Sequence, residues 1–213
     1  MLLTRFQTEL GSISNGVGGA GPRPEIEQVA VRDGSSVVIR PLASGDEAAI
    51  ASWFSGLGVE TRHARFLGPL DRLDRRMLSE LARVDHVDRE AIAAIGPDGT
   101  TVGIARYVRI EPSRAEVAVA VADQWRGRGI ASMLLERVTV RARSAGIKQF
   151  IAICLASNHT VIRLLSRLGP TKVGPSDAGV VELRIDLTSA RPDRFPPGAA
   201  SGGRHDEQRS CDA

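Results

Sequence analysis

The sequence predicts an α/β fold: a central, mostly antiparallel mixed sheet of about six to seven strands, flanked by helices. Three observations predict it. Residues 117–169 read as strand, basic glycine loop, helix, strand and helix. Alternating Val117, Val119 and Val121 lead into Arg126-Gly-Arg-Gly-Ile-Ala131, and the apolar run Gln149 to Leu155 follows the helix. Residues 90–122 are rich in strand-forming side chains and are broken by the turns Gly96-Pro-Asp-Gly99 and Glu111-Pro-Ser113, which marks a three-stranded meander. Residues 70–83 place Leu73, Met77, Leu78 and Leu81 at helical spacing.

The elements follow in order. Residues 1–34 are glycine-rich and low in complexity, and they are expected to form a disordered leader that buries no core. Residues 35–188 form the one folded domain. Ser36 to Pro41 opens it as a strand, and Ser44 is the expected N-cap of a helix running to about Gly56. Val59 to Leu67 is a short charged helix and Leu70 to Arg83 another. Ala91 to Ile95, Thr101 to Ile110 and Ala115 to Ala122 are the meander strands. A helix from Ile130 to about Ala145 puts Ile130, Leu134 and Val138 on one face and stops at Gly146. Gln149 to Leu155 is a central strand, Asn158 to Leu168 a helix ending at Gly169-Pro170, and Val180 to Leu187 a last strand. Residues 189–213 mix Pro, Gly, Ser and charges, and are expected to be a disordered tail.

Composition excludes several classes. No apolar run reaches the roughly 20 residues that span a bilayer. The first residues are too short in apolar content, and too charged at Arg5 and Glu9, for a secretory signal. The cytoplasm is therefore the expected compartment, with no membrane partner. The two cysteines, Cys154 and Cys211, make no disulfide framework or CxxC pair, which fits a reducing environment. His63, His86, His159 and His205 lack metal-ligand spacing, so no metal is expected.

The net charge is only +3, but residues 126–172 carry nine Arg/Lys against one acid, Glu136. That excess suits either a polyanionic ligand or an unliganded basic surface. Nucleic acid is not expected as a partner: the region holds a single aromatic, Phe150, and the chain has no helix–turn–helix or zinc pattern.

The loop carries the chemistry. N–H groups at a helix start are unpaired and favour phosphate, and Gly127 and Gly129 let an anion approach the backbone. The alternative is an ordinary tight strand-to-helix turn. A P-loop would need Gly-Lys-Ser/Thr, which is absent. A dinucleotide site would need a glycine at Ser132 and an acid about 20 residues on, and no acid lies between Glu136 and Asp177.

Arg126-x-x-Gly129-x-Ala131 resembles the Arg/Gln-x-x-Gly-x-Gly/Ala signature of the GNAT acyl-CoA N-acyltransferases, and the resemblance extends over about residues 36 to 187. It implies acetyl-CoA as cosubstrate. It also implies pairing of the pantetheine arm with Val119, Ala120 and Val121, a pyrophosphate site over the loop (Arg126, Gly127, Arg128, Gly129, Ile130, Ala131 and Ser132), and a contact from Asn158. A narrower resemblance is to Pat-type bacterial protein lysine acetyltransferases. Leu57 to Leu67, residues 84–91, and Ala115-Glu116-Val117-Ala118 are similar to segments of that group. Acceptor contacts are implied at Glu60, Arg62, Arg65, Asp85, His86 and Asp88. Pat-type enzymes usually carry an added regulatory domain, for which 213 residues leave no room.

An amine must be neutral to attack a thioester, and lysine titrates near about 10.4, so a base or water relay is needed. Glu116 is the candidate. It is expected to face opposite to the valines, beside Ala118 and Ala120, where desolvation would favour a proton acceptor. A salt-bridged glutamate on an edge strand is the structural alternative; the resemblance favours catalysis. A backbone N–H of the Val119–Val121 region would hold the oxyanion. Many GNAT enzymes protonate the leaving thiolate with a Tyr where this chain has Leu165; the only tyrosine, Tyr107, is elsewhere. With a thiol pKa near about 8.5, the thiolate either leaves unaided or takes its proton from another donor. Cys154, Trp53 and Trp125 read as packing residues.

The expectation is an N-acetyltransferase moving acetyl from acetyl-CoA directly to an amine. A protein lysine is expected, and the Pat-type resemblance implies an acyl-CoA synthetase as its bearer. A small-molecule amine acetyltransferase and a non-catalytic acyl-CoA-binding regulator are the alternatives. Monomer and dimer are both compatible with the sequence.

Overall fold

The computed structural model describes residues 26–189; the expected leader up to residue 25 and the tail from residue 190 lie outside the described residues. Eight strands form one sheet in the order β1-β2-β3-β4-β5-β6-β8-β7. They are β1 Glu27–Ala30, β2 Ser36–Pro41, β3 Arg89–Ile95, β4 Thr101–Glu111, β5 Arg114–Val121, β6 Gln149–Leu155, β7 Thr171–Val173 and β8 Val180–Asp186. All neighbours are antiparallel except β5 and β6. The expected count of six to seven missed β1, which lies within residues assigned to the leader, and β7. Both are short and on sheet edges, where pairing rather than an apolar pattern makes the strand.

Among the described residues, five α-helices accompany the sheet: α1 Glu47–Ser55, α2 Val59–Phe66, α3 Arg75–Ala82, α4 Ile130–Ser144 and α5 His159–Leu165. Ser44 does not cap α1; Asp46 holds that position, its carboxylate accepting from Ala43 N–H (2.8 Å) and pairing with Arg40 (2.7 Å). α3 begins at Arg75 rather than Leu70 because Asp74 caps it, accepting from Met77 N–H at 2.8 Å. α5 is shorter than expected, with Asn158 as its N-cap, accepting from Val161 N–H at 3.2 Å.

Two apolar cores lie on opposite faces of the sheet. On one, Ile130, Leu134, Leu135 and Val138 of α4 pack on Tyr107, Val117 and Phe150. Gly103 allows this close approach: a Cβ there would stand 3.2 Å from Ile130, Leu134 and Val121. On the other, Trp53 and Phe54 of α1 and Leu81 of α3 pack on Ala91, Ala93, Ile104 and Ala120. Helix α2 lies against both β5 and β6.

Candidate active site

The site is built where the sheet comes apart. β5 and β6 pair only at Arg114–Gln149, Ala115–Phe150 and Glu116–Ile151, and the parallel register then stops. β5 runs on to Val121 and β6 to Leu155 without pairing to each other. At their divergence lies a cleft of about 2430 Å³ lined by residues of β5, β6, α2 and the start of α4.

Strand alternation decides which groups face it. Ala122 N–H bonds Val102 O (2.8 Å), and the β4–β5 register is regular down to Arg109–Ala115. Backbone groups of Ala118 and Ala120 therefore point to β4, while those of Val117, Val119 and Val121 point into the divergence. Of the three residues expected to pair with a pantetheine arm, Val119 and Val121 offer backbone there; Ala120 lines the cleft but turns its backbone to β4.

At the far end of β5, Gly127 (φ 77°) and Gly129 (φ 89°) take left-handed conformations that other residues resist, and turn the chain into α4. Gly129 is the N-cap and provides no side chain, so the first-turn N–H groups of α4 have no side-chain cap. Gly127, Gly129, Ile130, Ala131 and Ser132 line the cleft, and Asn158 lines it from across β6. Open backbone on one wall and an uncapped helix start at its end fit an extended, phosphate-bearing thioester such as acetyl-CoA.

The model of the acetyltransferase (GNAT) family matches residues 60–169. This chain belongs to that family. It is an acyl-CoA-dependent N-acetyltransferase. It is 33% identical over 160 residues to an acetyltransferase of Pseudomonas aeruginosa, covering 73% of this chain and 86% of the relative. It is 31% identical over 172 residues to the acetyltransferase Pat of Mycolicibacterium smegmatis, covering 79% of this chain but only 51% of that relative. The chain thus corresponds to about half of that Pat. The crystal structure of the GNAT domain of S. lividans PAT superposes with a TM-score of 0.70 at 32% identity, covering 76% of this chain and 97% of that domain.

In this GNAT domain Glu116 stands at the vertex, on the last pair before β5 and β6 part. Ala118 and Ala120 share its face as expected, but the surroundings are not simply alanine-lined. Arg106, opposite Ala118 in the register, shares that face and is 4% exposed. Arg65 of α2 interacts electrostatically with Glu116. Burial pushes both guanidiniums down to about 10, so both stay charged at neutral pH; the Glu116 charge acts the other way on each. Arg106 donates to Leu81 O (3.3 Å) and Glu80 O (3.5 Å), and its buried Nε has no hydrogen-bond partner.

The other basic residues divide. Arg126 lines the cleft, pairs with Asp123 (2.7 Å) and bonds Thr61; Asp123 in turn accepts from Gly58 N–H (2.5 Å) and Thr61 Oγ1 (2.6 Å). The start of α2 is thereby tied to the glycine loop. Arg128 does not line the cleft: it lies over the Trp125 ring (4.4 Å) and pairs with Asp33 (2.8 Å). Arg137, Arg141 and Arg143 bond Glu27, Glu90 and Leu187 O. Much of the basic run of residues 126–172 therefore holds the fold together.

Among the expected acceptor contacts, Glu60 and Arg65 line the cleft. Arg62 does so too, while donating to Ser55 O and Asp71 O and lying 4.5 Å from the Phe54 ring. Asp85 orders the turn into β3, its Oδ1 accepting from the N–H groups of Val87, Asp88 and Arg89. Burial pushes the Asp85 carboxyl up, but these donors outweigh it and hold it below the usual range. Asp88 binds Arg109 at 2.5 Å, and both Asp85 and Asp88 lie on the cleft rim. His86 does not line the cleft; it adopts φ 61° and bonds the buried Glu90 at 3.0 Å.

Tyr107 is fully buried on the α4 face, donates to Val87 O at 3.0 Å, and has its phenol pushed up by burial. It cannot reach the cleft, and Leu165 at the family's tyrosine position is 2% exposed. Burial likewise pushes the Cys154 thiol up, away from nucleophilic duty. No group of three or more His, Cys, Asp or Glu suited to a metal occurs among the described residues, and none of the described helices is long and apolar enough to cross a membrane.

Among the cleft residues that escaped the sequence reading is Arg32: placed in the leader, it lines the cleft beside Gly129 of the glycine loop. Its sole signal was a basic residue before an Asp-Gly turn, and the strands that bring the turn to the loop are not local.

Proposed function

We propose that this enzyme acetylates a lysine side chain on a protein, with Glu116 as general base. The observation that carries the reading is the carboxylate at the vertex of the β5–β6 divergence, on the face walled by α2. A thioester lying along β5 with its phosphates at residues 127–132 would end its acetyl group there. Asn158 and the outward backbone of Val119 and Val121 would hold its arm.

The lysine ammonium gives a proton to Glu116, directly or through water, and the free amine attacks the thioester carbonyl. An N–H of the Val119–Val121 segment stabilises the oxyanion. The tetrahedral intermediate collapses, the C–S bond breaks, and CoA leaves as thiolate. The amine's second proton and the one held by Glu116 pass to solvent, and the thiolate takes its own from solvent, since neither Leu165 nor buried Tyr107 can supply one.

A protein acceptor is supported by the likeness to Pat and to the PAT GNAT domain. The cleft rim, carrying Glu60, Asp85, Asp88 and the exposed side chains Val59 and Val87, suits a protein loop better than a lone amine. An acyl-CoA synthetase is the first acceptor to assay, beside a panel of small amines. Glu116→Gln should lower turnover at neutral pH by about 10²- to 10⁴-fold while acetyl-CoA affinity holds. Full turnover by that variant would remove Glu116 from the mechanism. Acetylation of small amines alone would move the acceptor to that class.

A further inference from the structure

We propose that Arg32 is a phosphate-binding residue for acetyl-CoA, carried to the glycine loop by the β1–β2 turn. The turn is built to reach the loop. Val31 N–H bonds Ser35 O at 2.8 Å, closing it, and Asp33 Oδ1 accepts from Ser35 N–H and Oγ. Two contacts then dock it: Arg32 N–H donates to Arg128 O (3.3 Å), and Asp33 pairs with Arg128 (2.8 Å), which is itself braced on Trp125. Arg128, the loop's second arginine, is consumed in this docking and does not line the cleft.

What the docking delivers is the Arg32 guanidinium. Its Nε lies 3.4 Å from where a Cβ of Gly129 would stand, against the N-cap of α4. Its side chain is exposed, lines the cleft and has no acidic partner among the described residues. Arg126, the other cleft-lining arginine of the loop, is already paired with Asp123 and bonded to Thr61. An unpaired guanidinium beside an uncapped helix start adds a forked donor where backbone N–H groups already favour an anion. The ligand group is a phosphate of the cosubstrate, either the diphosphate or the ribose 3′-phosphate.

The inference rests on the reading that phosphate sits at residues 127–132, and the test separates the two. Calorimetric affinities of CoA and dephospho-CoA are measured for the wild type, Arg32→Ala, Arg32→Lys and Gly127→Asp. Arg32→Ala should bind CoA about tenfold more weakly, the loss of one exposed charge-assisted contact, with Arg32→Lys in between. Its melting temperature without ligand should not move, because docking uses the Arg32 backbone. Equal loss for both ligands assigns Arg32 to the diphosphate; loss for CoA alone assigns it to the 3′-phosphate. Arg32→Ala binding like wild type, while Gly127→Asp binds weakly, overturns the role of Arg32. Wild-type affinity in Gly127→Asp as well overturns the loop reading with it.

Discussion

Glu116 and Arg65 come from different elements and meet at the vertex of the cleft. The guanidinium favours the ionised carboxylate, the form that accepts a proton from an amine. Removing it makes protonation of the carboxylate easier. Arg65→Met should therefore move the acidic limb of the kcat/KM–pH profile to higher pH, and Arg65→Lys should largely restore it. An unmoved limb in Arg65→Met would show that the arginine does not bear on the base. Arg65 stays charged through this range, its own pKa being about 10. The proton acceptor was legible in the sequence as a carboxylate between small residues. Arg65 was read as an acceptor contact, but that it and Arg106 adjoin the carboxylate was not legible, because α2 and β4 reach that face only in the folded sheet.

At the scale of elements, the cleft depends on β5 and β6 pairing at one end and parting at the other. β8 holds β6 along its length, and the chain between α5 and β7 packs tightly against the end of β8. Gly169 is the point of closest approach: a Cβ there would stand 1.9 Å from Asp186 O. Gly169→Ala should destabilise the domain by about 1–3 kcal/mol as an overpacking change, read as a lower denaturant midpoint with unchanged slope. A midpoint equal to wild type would mean that the backbone yields there at no cost. The loop glycines and the α4 pattern are local features, and the sequence displayed them. The start of α3 was misplaced because Leu70 and Leu73 continue the apolar spacing, whereas the Asp74 cap sets the boundary.

Over the whole molecule, carboxylates are tied down at distant points. The Arg40 hydrogen bond holds Asp46 below the usual range. Burial pushes Asp123 up, but donors from Thr61 and Gly58 and the charge of Arg126 outweigh it, and its carboxyl is lowered too. Asp85 is lowered in the same way. A carboxyl whose folded pKa is depressed stabilises the fold above its unfolded pKa, about 3.9, and loses that contribution as pH falls through the folded value. Denaturant melts should show stability flat near neutrality and falling below about pH 4, more gently in Asp46→Asn. Identical slopes in both proteins would deny Asp46 a share.

The sequence by itself determined the class of fold, the strand–glycine loop–helix unit and the family, since each rests on short-range periodicity and spacing. It also singled out Glu116. Only the tertiary structure decided that β5 and β6 part after Glu116, that Arg128 braces the fold while Arg126 lines the cleft, and that Arg32 stands at the glycine loop. These depend on sheet register and on contacts between residues far apart in the chain. A side chain's neighbours are set by which strands pair and where they stop pairing, and local sequence carries no record of that.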